Sequence, residues 1–211
     1  MDTLTPYVAR VKADRMAYSE RHCHAEQPSL GLGWFGSWLH RLVIALFVIP
    51  VAMAVVPVMA QANAWEAVLP EAKPVGNGEF RYWGFRVYTA TLWSAQGRYQ
   101  PSEPFALSLT YMRDLSREDI VEASFDQMRE LGYPVDNHPE WKQKLDQAMA
   151  SVKSGDSLTG VYMPGQGAVF FHNDRLTGQI GEALAKAFFA IWLDPKTSQP
   201  ALRQALLGGS P

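Results

Sequence analysis

Alternation of apolar and polar positions predicts β-strands in two parts of the chain. Residues 79–94 read EFRYWGFRVYTATLWS, a run rich in aromatic and β-branched residues that favours strand. In 104–115 every second position is apolar, as in a half-buried strand, and the row is Phe105, Leu107, Leu109 and Tyr111. A second strand-rich part, 155–172, contains two short strands around a Pro164 and Gly165 turn. It precedes a tight turn at Asn173 and Asp174.

Gly84 interrupts the first of these strands and allows two interpretations. In one, the strand runs through 79–94 with a bulge at Gly84. In the other, the chain forms a hairpin whose three-residue loop is 82–84, with glycine in the left-handed conformation that closes the turn. The sequence alone leaves both open.

Apolar residues at helical spacing predict four helices. Ser116 begins the sequence SRED, a capping box with Asp119 in the place of the usual glutamate, and Gly132 suits the end of that helix. Proline is favourable in the first turn, so Pro139 and Pro200 are expected to begin the second and fourth helices. The third has a continuous apolar stripe, which is Ile180, Leu184, Phe188 and Ile191.

The order of elements is therefore strands, two helices, strands and two helices. This separation of strands from helices predicts the α+β class, with an antiparallel sheet covered by helices on one face.

Composition excludes several classes of protein. The chain has 211 residues, a formal net charge of −2 and no long basic block, which argues against a nucleic-acid partner. It contains no C-x-x-C-H, glycine-rich phosphate loop or H-E-x-x-H motif, so we expect no cofactor. His22 and His24 flank the single cysteine, Cys23, but adjacent residues rarely converge on one ion, so we expect no metal site.

An apolar run near the N-terminus predicts export. Residues 42–60 are uncharged and of membrane-spanning length, and Ala62 and Ala64 fit the pattern that signal peptidase requires. We therefore divide the chain into a leader (1–41), a signal region cleaved before Trp65 (42–64) and a domain (65–211), with translation starting at Met1 or Met16. The expected location is periplasmic or secreted; the alternative is an inner-membrane anchor formed by residues 42–60.

A series of short motifs carries a resemblance to a known family. The motifs are Gly76-x-Gly78 with Arg81, VYTA-x-L at 87–92, SREDI at 116–120, KSGD at 153–156, the turns at Pro164-Gly165 and Asn173, and FFAIWL at 188–193. In this order they resemble the chalcone isomerase-like family, in its bacterial exported branch. The resemblance implies a large antiparallel sheet with helices over one face and an apolar cleft between them.

The plant enzymes of that family imply one set of site residues. There an arginine and a threonine on neighbouring strands, with a tyrosine further on, orient a chalcone for ring closure. Arg81 and Thr89 fit the first two positions and are the catalytic candidates if the protein is active. The tyrosine position falls near Ile120, which carries no hydroxyl, so the resemblance argues against chalcone cyclisation.

A non-enzymatic branch of the same fold resembles fatty-acid-binding proteins, in which an arginine and a tyrosine pair with a carboxylate. The resemblance therefore predicts a non-catalytic binder of a small amphipathic or fatty-acid-like ligand. Arg81, Thr89, Tyr88 and Tyr111 are the expected ligand-binding residues, with Tyr99 and Tyr162 as further possible donors. The alternatives are an isomerase of the intramolecular-lyase type and a periplasmic interaction module without a ligand.

Strand geometry limits this site. On a continuous strand, Arg81 and Thr89 stand eight residues, or about 26 Å, apart. In the hairpin, Arg81 lies opposite Phe85 and is about 13 Å from Thr89 along the strand. The predicted site therefore requires the hairpin.

Overall fold

The computed structural model describes residues 63–209, which contain a six-stranded antiparallel sheet whose strands lie side by side in chain order. The predicted leader, the apolar run 42–60 and Cys23 with its neighbouring histidines lie outside the described residues. The strands are β1 (Lys73–Tyr82), β2 (Phe85–Ser94), β3 (Phe105–Tyr111), β4 (Ser157–Met163), β5 (Gly167–His172) and β6 (Arg175–Ile180).

Four helices follow the strands in two pairs: α1 (Arg117–Glu130), α2 (Pro139–Ala148), α3 (Glu182–Leu193) and α4 (Pro200–Leu206). Ser116 caps α1 as expected, because its hydroxyl accepts the backbone N–H of Asp119. The α+β class and the covered antiparallel sheet are confirmed. No helix within residues 63–209 is long and apolar enough to cross a bilayer.

The chain turns back at Trp83 and Gly84, so the hairpin interpretation is confirmed. The loop has two residues, rather than the three expected, and both have positive φ, 51° and 80°. Such turns match the right-handed twist of the flanking strands, and glycine readily adopts the positive φ that the second position of the turn requires. Arg81 consequently pairs with Arg86, and a bulge shifts the register before Phe80 pairs with Tyr88.

The edge strand β1 begins before the predicted strand at residue 79, and β6 lies where no strand was predicted, because the glycines of both strands resemble loop sequence. A Cβ at Gly76 would lie 2.1 Å from the backbone oxygen of Ala205 in α4. A Cβ at Gly178 would lie 2.8 Å from Ala148 Cα in α2. Helices α4 and α2 thus pack directly onto the strand backbones. Ile180, which the sequence suggested as part of the third helix, is the last residue of β6.

The main core lies between the sheet and the helices. A smaller cluster on the other face contains Trp65, Val68 and Leu69, which pack against the central strands. Trp65 contacts Trp93, with ring centroids 5.5 Å apart. The segment before β1 therefore covers the middle of the face that the helices leave open, and the helix-covered face carries the larger core.

Candidate functional site

A cavity of about 590 Å³ lies between the sheet, α1 and α3. This volume is within the range of small-molecule binding sites. Its inner part is apolar and aromatic, and the residues that line it there include Leu107, Leu109, Leu158, Phe170, Phe188 and Phe189. These side chains come from three strands and one helix, so the cavity is built on the rigid part of the fold.

Strand β3 sets the polarity of the cavity along its length. Alternate residues of a strand point to one face, and the row that enters the cavity is Leu107, Leu109, Tyr111 and then Arg113, just beyond the strand. The cavity is thus lined by hydrocarbon near Leu107 and by polar groups near Arg113. Such a gradient matches a molecule with an apolar chain and one polar end.

Tyr88 contributes one of the two tyrosine hydroxyls of the cavity. It accepts a hydrogen bond of 2.9 Å from Trp192 Nε1, which leaves its own O–H free to donate. Its ring stacks on Phe80, with centroids 5.1 Å apart. Burial raises the pKa of Tyr88 to about 12, so the side chain is a neutral donor at physiological pH.

Tyr111 contributes the second hydroxyl. Its side chain is 4% exposed and its ring meets that of Tyr88 edge to face, 5.7 Å between centroids. Burial, and secondarily the neighbouring Tyr88, raises the pKa of Tyr111 well above its usual range. Within residues 63–209 its hydroxyl has no hydrogen-bond partner. Because this hydroxyl lines the cavity and is not committed to the protein, it can donate to a ligand.

The charged residues that line the cavity within residues 63–209 are all exposed. They are Arg113, Asp119, Asp126 and Glu130. Asp119 accepts from Ser116 and Asp126 pairs with Arg129, so both are already engaged. Arg113 is exposed and forms no ion pair or hydrogen bond within the described part of the chain. It is therefore free to bind an anionic or polar group at the mouth.

Arg81 and Thr89 lie on the opposite face of the sheet from the cavity. Phe80 and Tyr82 of β1 line the cavity, so alternation turns Arg81 outwards, where its Nε is 2.5 Å from Glu79 Oε1. Thr89 pairs with Glu79 across the hairpin and shares that outer face. Of the four predicted ligand-binding residues, the structure places Tyr88 and Tyr111 in the cavity, and it places Arg81 and Thr89 outside it.

Two residues of the cavity were missed from the sequence. Arg113 continues the apolar row of β3 by one more alternate position, so extending that row would have found it. Trp192 stands out in the sequence only as part of the FFAIWL motif, and its bond to Tyr88 joins residues 104 positions apart. No local signal indicates that bond, because it depends on how α3 lies across the sheet.

Asp156 and His172 form a separate polar cluster at the turns beside β4 and β5. Asp156 accepts from the backbone N–H of Lys153, from Asn173 and from His172. These bonds, the backbone N–H first, lower the pKa of Asp156 to about 2. The cluster joins two turns and its groups are satisfied by one another, so it has a structural role. Residues 63–209 contain no group of side chains that could hold a metal ion.

Comparison with known proteins adds three findings. The model of the family described as chalcone isomerase-like matches residues 76–208. An uncharacterized protein of Haemophilus influenzae is 26% identical over 137 residues, which are 64% of this chain and 68% of that protein. The crystal structure of an Arabidopsis thaliana fatty-acid binding protein superposes with a TM-score of 0.54 at 10% identity, covering 66% of this chain and 88% of the other.

At that identity the Arabidopsis structure establishes the similarity of the fold alone. The family match covers β1 through α4, which includes every strand and helix around the cavity. The chain therefore belongs to the chalcone isomerase-like family.

Proposed function

We propose that this protein binds a small amphipathic molecule of the acyl or fatty-acid kind in the cavity, without converting it. The observation that carries the proposal is the polarity gradient along β3. The apolar chain of the ligand would lie against Leu107 and Phe189, with its polar end at Tyr111 and Arg113. A fatty-acid binding protein with the same fold supports the choice of ligand class.

The two tyrosines and the arginine have complementary roles in this proposal. Tyr88 and Tyr111 supply neutral O–H donors inside the cavity, where each hydrogen bond that replaces a lost water contact contributes about 1 kcal/mol. Arg113 supplies a positive charge at the mouth. Solvent weakens its electrostatic attraction there, but the guanidinium can still form a bidentate interaction with a carboxylate. The ligand would thus enter chain first and keep its polar end near solvent.

The site gives little support to the alternative of an isomerase. Ring closure of a chalcone requires a group that stabilises the attacking oxyanion inside the cavity. The residues assigned to that chemistry, Arg81 and Thr89, lie on the outer face, and Ile120 stands near the third expected position. The alternative of a module without a ligand is less favoured too, because a module of that kind needs no open apolar cavity.

A fluorescent acyl probe tests the arginine assignment. We expect Arg113→Gln to weaken binding of a fluorescent fatty-acid analogue about tenfold, the size expected for loss of a partly exposed charged hydrogen bond. Arg81→Gln is the matched control, since it removes the same charge at the same end of the sheet but on the outer face. Equal weakening by both substitutions would contradict the proposed orientation, and absence of probe binding to the wild type would contradict the function.

We also propose that the chain is exported through residues 42–60 and acts outside the cytoplasm. Support comes from the A-x-A pattern before Trp65, which follows the uncharged apolar run. The mass of the protein recovered from a bacterial periplasmic extract tests this. A mass that begins at Trp65 would support cleavage, and recovery of only the uncleaved chain with the membrane would contradict it.

A further inference from the structure

The large hydrophobic side chains that are exposed in residues 63–209 all lie at one end of the sheet. They are Tyr82, Trp83, Phe85 and Met112, with exposed fractions of 60%, 84%, 71% and 37%. We call residues 81–86 with Met112 and Arg113 the hairpin tip. Scattered exposed apolar residues are ordinary, but a single cluster of them marks a surface that another body covers.

The hairpin tip projects beyond its neighbours in the sheet. Strand β2 pairs with β3 only from Tyr88 onwards, and before that point one bond remains, from Met112 N to Val87 O. All six residues of 81–86 are exposed. The described chain therefore provides no element that could bury these rings.

A second turn at the same end of the sheet shows that the backbone does not require aromatic residues here. Asn173 and Asp174 join β5 to β6 with φ of 45° and 62°, which resembles the conformation of Trp83 and Gly84. That turn is polar, and Asn173 is hydrogen-bonded to Asp156. A polar turn can therefore form the same backbone conformation, so the fold does not require aromatic side chains at the hairpin tip.

The hairpin tip is also positively charged. Arg81, Arg86 and Arg113 lie beside the aromatic residues, Glu79 pairs with two of them and Asp114 follows Arg113, which leaves a local charge of +1. Two copies of this surface would repel each other. An anionic surface would attract it.

We propose that the hairpin tip docks on an anionic lipid bilayer. Tryptophan and tyrosine prefer the interface between lipid headgroups and hydrocarbon, and arginine can extend its charge towards the headgroups while its stem stays in apolar surroundings. Buried apolar area and attraction to anionic lipids together determine how strongly such a surface binds. Tyr82 belongs both to the hairpin tip and to the mouth of the cavity, so docking brings that mouth to the bilayer.

A label on the hairpin tip tests this proposal locally, even when residues 1–62 also contact lipid. The full chain with Cys23→Ser and Trp83→Cys carries one environment-sensitive fluorophore at the tip. The matched control carries it through Ser102→Cys, an exposed site between β2 and β3 at the far end of the sheet. Each protein is titrated with mixed phosphatidylcholine–phosphatidylglycerol vesicles, with and without a lipid-attached quencher.

The proposal predicts that the label at position 83 enters an apolar environment and is quenched from the lipid, while the label at position 102 does neither. Changes at neither site, or equal changes at both, would overturn it. The proposal would also be overturned if the label at position 83 reported an apolar environment in the absence of vesicles. Another copy or another part of the chain would then cover the tip.

Charge removal gives a second readout. Arg81→Gln and Arg86→Gln should each weaken vesicle binding of the tip about fivefold, and added salt should have the same direction of effect. Pure phosphatidylcholine vesicles should bind the tip more weakly than mixed vesicles. Binding that is indifferent to lipid charge and to both substitutions would contradict the proposed electrostatic contribution. Vesicle binding by the hairpin tip does not depend on whether the cavity is occupied. A negative vesicle result would therefore refute docking only, and the acyl probe would still test ligand binding.

Discussion

At the scale of single residues, the tyrosines divide into those that serve the fold and those that face the cavity. Tyr162 donates a 2.8 Å hydrogen bond to Glu182, so its hydroxyl is satisfied within the protein. Tyr111 has no such partner in the described residues, although it is almost fully buried. Under the proposed function, the hydroxyl of Tyr111 is therefore the one that would meet the ligand, whereas that of Tyr162 stabilises the fold.

Replacing Tyr111 by phenylalanine should therefore affect binding more than stability. The change removes a hydroxyl that has no partner in the fold, so the free energy of unfolding should stay within about 0.5 kcal/mol of the wild type. Affinity for the fluorescent fatty-acid analogue should fall about fivefold. Titration of the probe and urea unfolding measure the two effects.

Tyr162→Phe is the matched control for that experiment. It should lower stability by about 1 kcal/mol, because Glu182 loses one of its partners and keeps Lys186, and it should leave probe affinity unchanged. The reverse pattern, with Tyr162 affecting the probe and Tyr111 affecting stability, would refute the division between the two tyrosines.

Asp156 predicts a pH dependence of stability. Its pKa is lowered from 3.8 to about 2 in the folded protein, so the stabilisation from its ionised form is fully present above pH 3.8 and disappears as the pH falls towards 2. Asp156→Asn should therefore be less stable than the wild type at neutral pH, and the difference should shrink over this acidic range. Thermal unfolding of both proteins at a series of pH values measures it. A difference that stays constant down to pH 2 would contradict the assigned pKa.

At the scale of elements, the edge strands depend on where helices pack. Gly76 and Gly178 let α4 and α2 approach the backbones of β1 and β6 more closely than a side chain would permit. The same glycines made both strands resemble loops in the sequence. A strand that lacks side chains on one face is recognisable only when the helix that covers it is known.

Gly76→Ala should consequently be strongly destabilising. The new methyl group would meet the backbone oxygen of Ala205, and backbone cannot move aside as a flexible side chain can. We expect a loss of at least about 2 kcal/mol of unfolding free energy, the range for overpacked sites. Gly181→Ala is the control, because that Cβ meets nothing within 4 Å and the backbone has an ordinary φ of −74°.

Denaturant unfolding of the two variants decides this point. Equal stability of the Gly76 and Gly181 variants would show that α4 does not depend on the contact with β1. A loss confined to Gly76→Ala would confirm that the glycine is present for close packing.

Local sequence patterns predicted much of this architecture, and they failed where the outcome depends on distant contacts. The alternation in 104–115, the cap at Ser116 and the prolines at Pro139 and Pro200 all act within a few residues, and the elements they predicted are present. The turn at Gly84 was recognised, but its length was not, because a bulge on the strands changes the register. That shift is determined by pairing along the whole hairpin.

The candidate site was predictable to a smaller extent. The cavity-facing row of β3, which includes Tyr111, follows from alternation, and the family resemblance made Tyr111 a ligand-binding candidate. The choice between Arg81 and Arg113 depends on which face of the sheet the helices cover, which no pattern in 79–94 reveals. Conversely, the aromatic residues of that run favour a strand by sequence, although Trp83 lies at the tip of the turn.

At the scale of the whole molecule, the cavity and the hairpin tip lie at the same end of the sheet. The tip carries exposed aromatic and cationic groups, and the mouth next to it carries Arg113. If both proposals hold, the protein can collect an amphipathic molecule from a bilayer without exposing its apolar chain to water. The two proposals share Tyr82 and Arg113, but they are tested by different variants and different readouts.

Filling the cavity should abolish binding while the fold is kept. Ile120 lies on the cavity side of α1, so Ile120→Trp places a large ring in the space proposed for the ligand. Glu122→Trp introduces the same residue on the outer face of the same helix, where the lost ion pair with Lys142 is exposed and contributes little. We expect both proteins to fold, with a cost of about 1–3 kcal/mol for the overpacked variant.

Mass spectrometry of molecules extracted from these purified proteins tests the proposed binding most directly. The wild type and Glu122→Trp should both yield an acyl-chain compound in an amount comparable to the protein, and folded Ile120→Trp should yield far less. Equal recovery from the wild type and Ile120→Trp would mean that the ligand lies elsewhere. A wild-type protein that yields no such compound and does not bind the acyl probe would contradict the proposal that this cavity holds an amphipathic ligand.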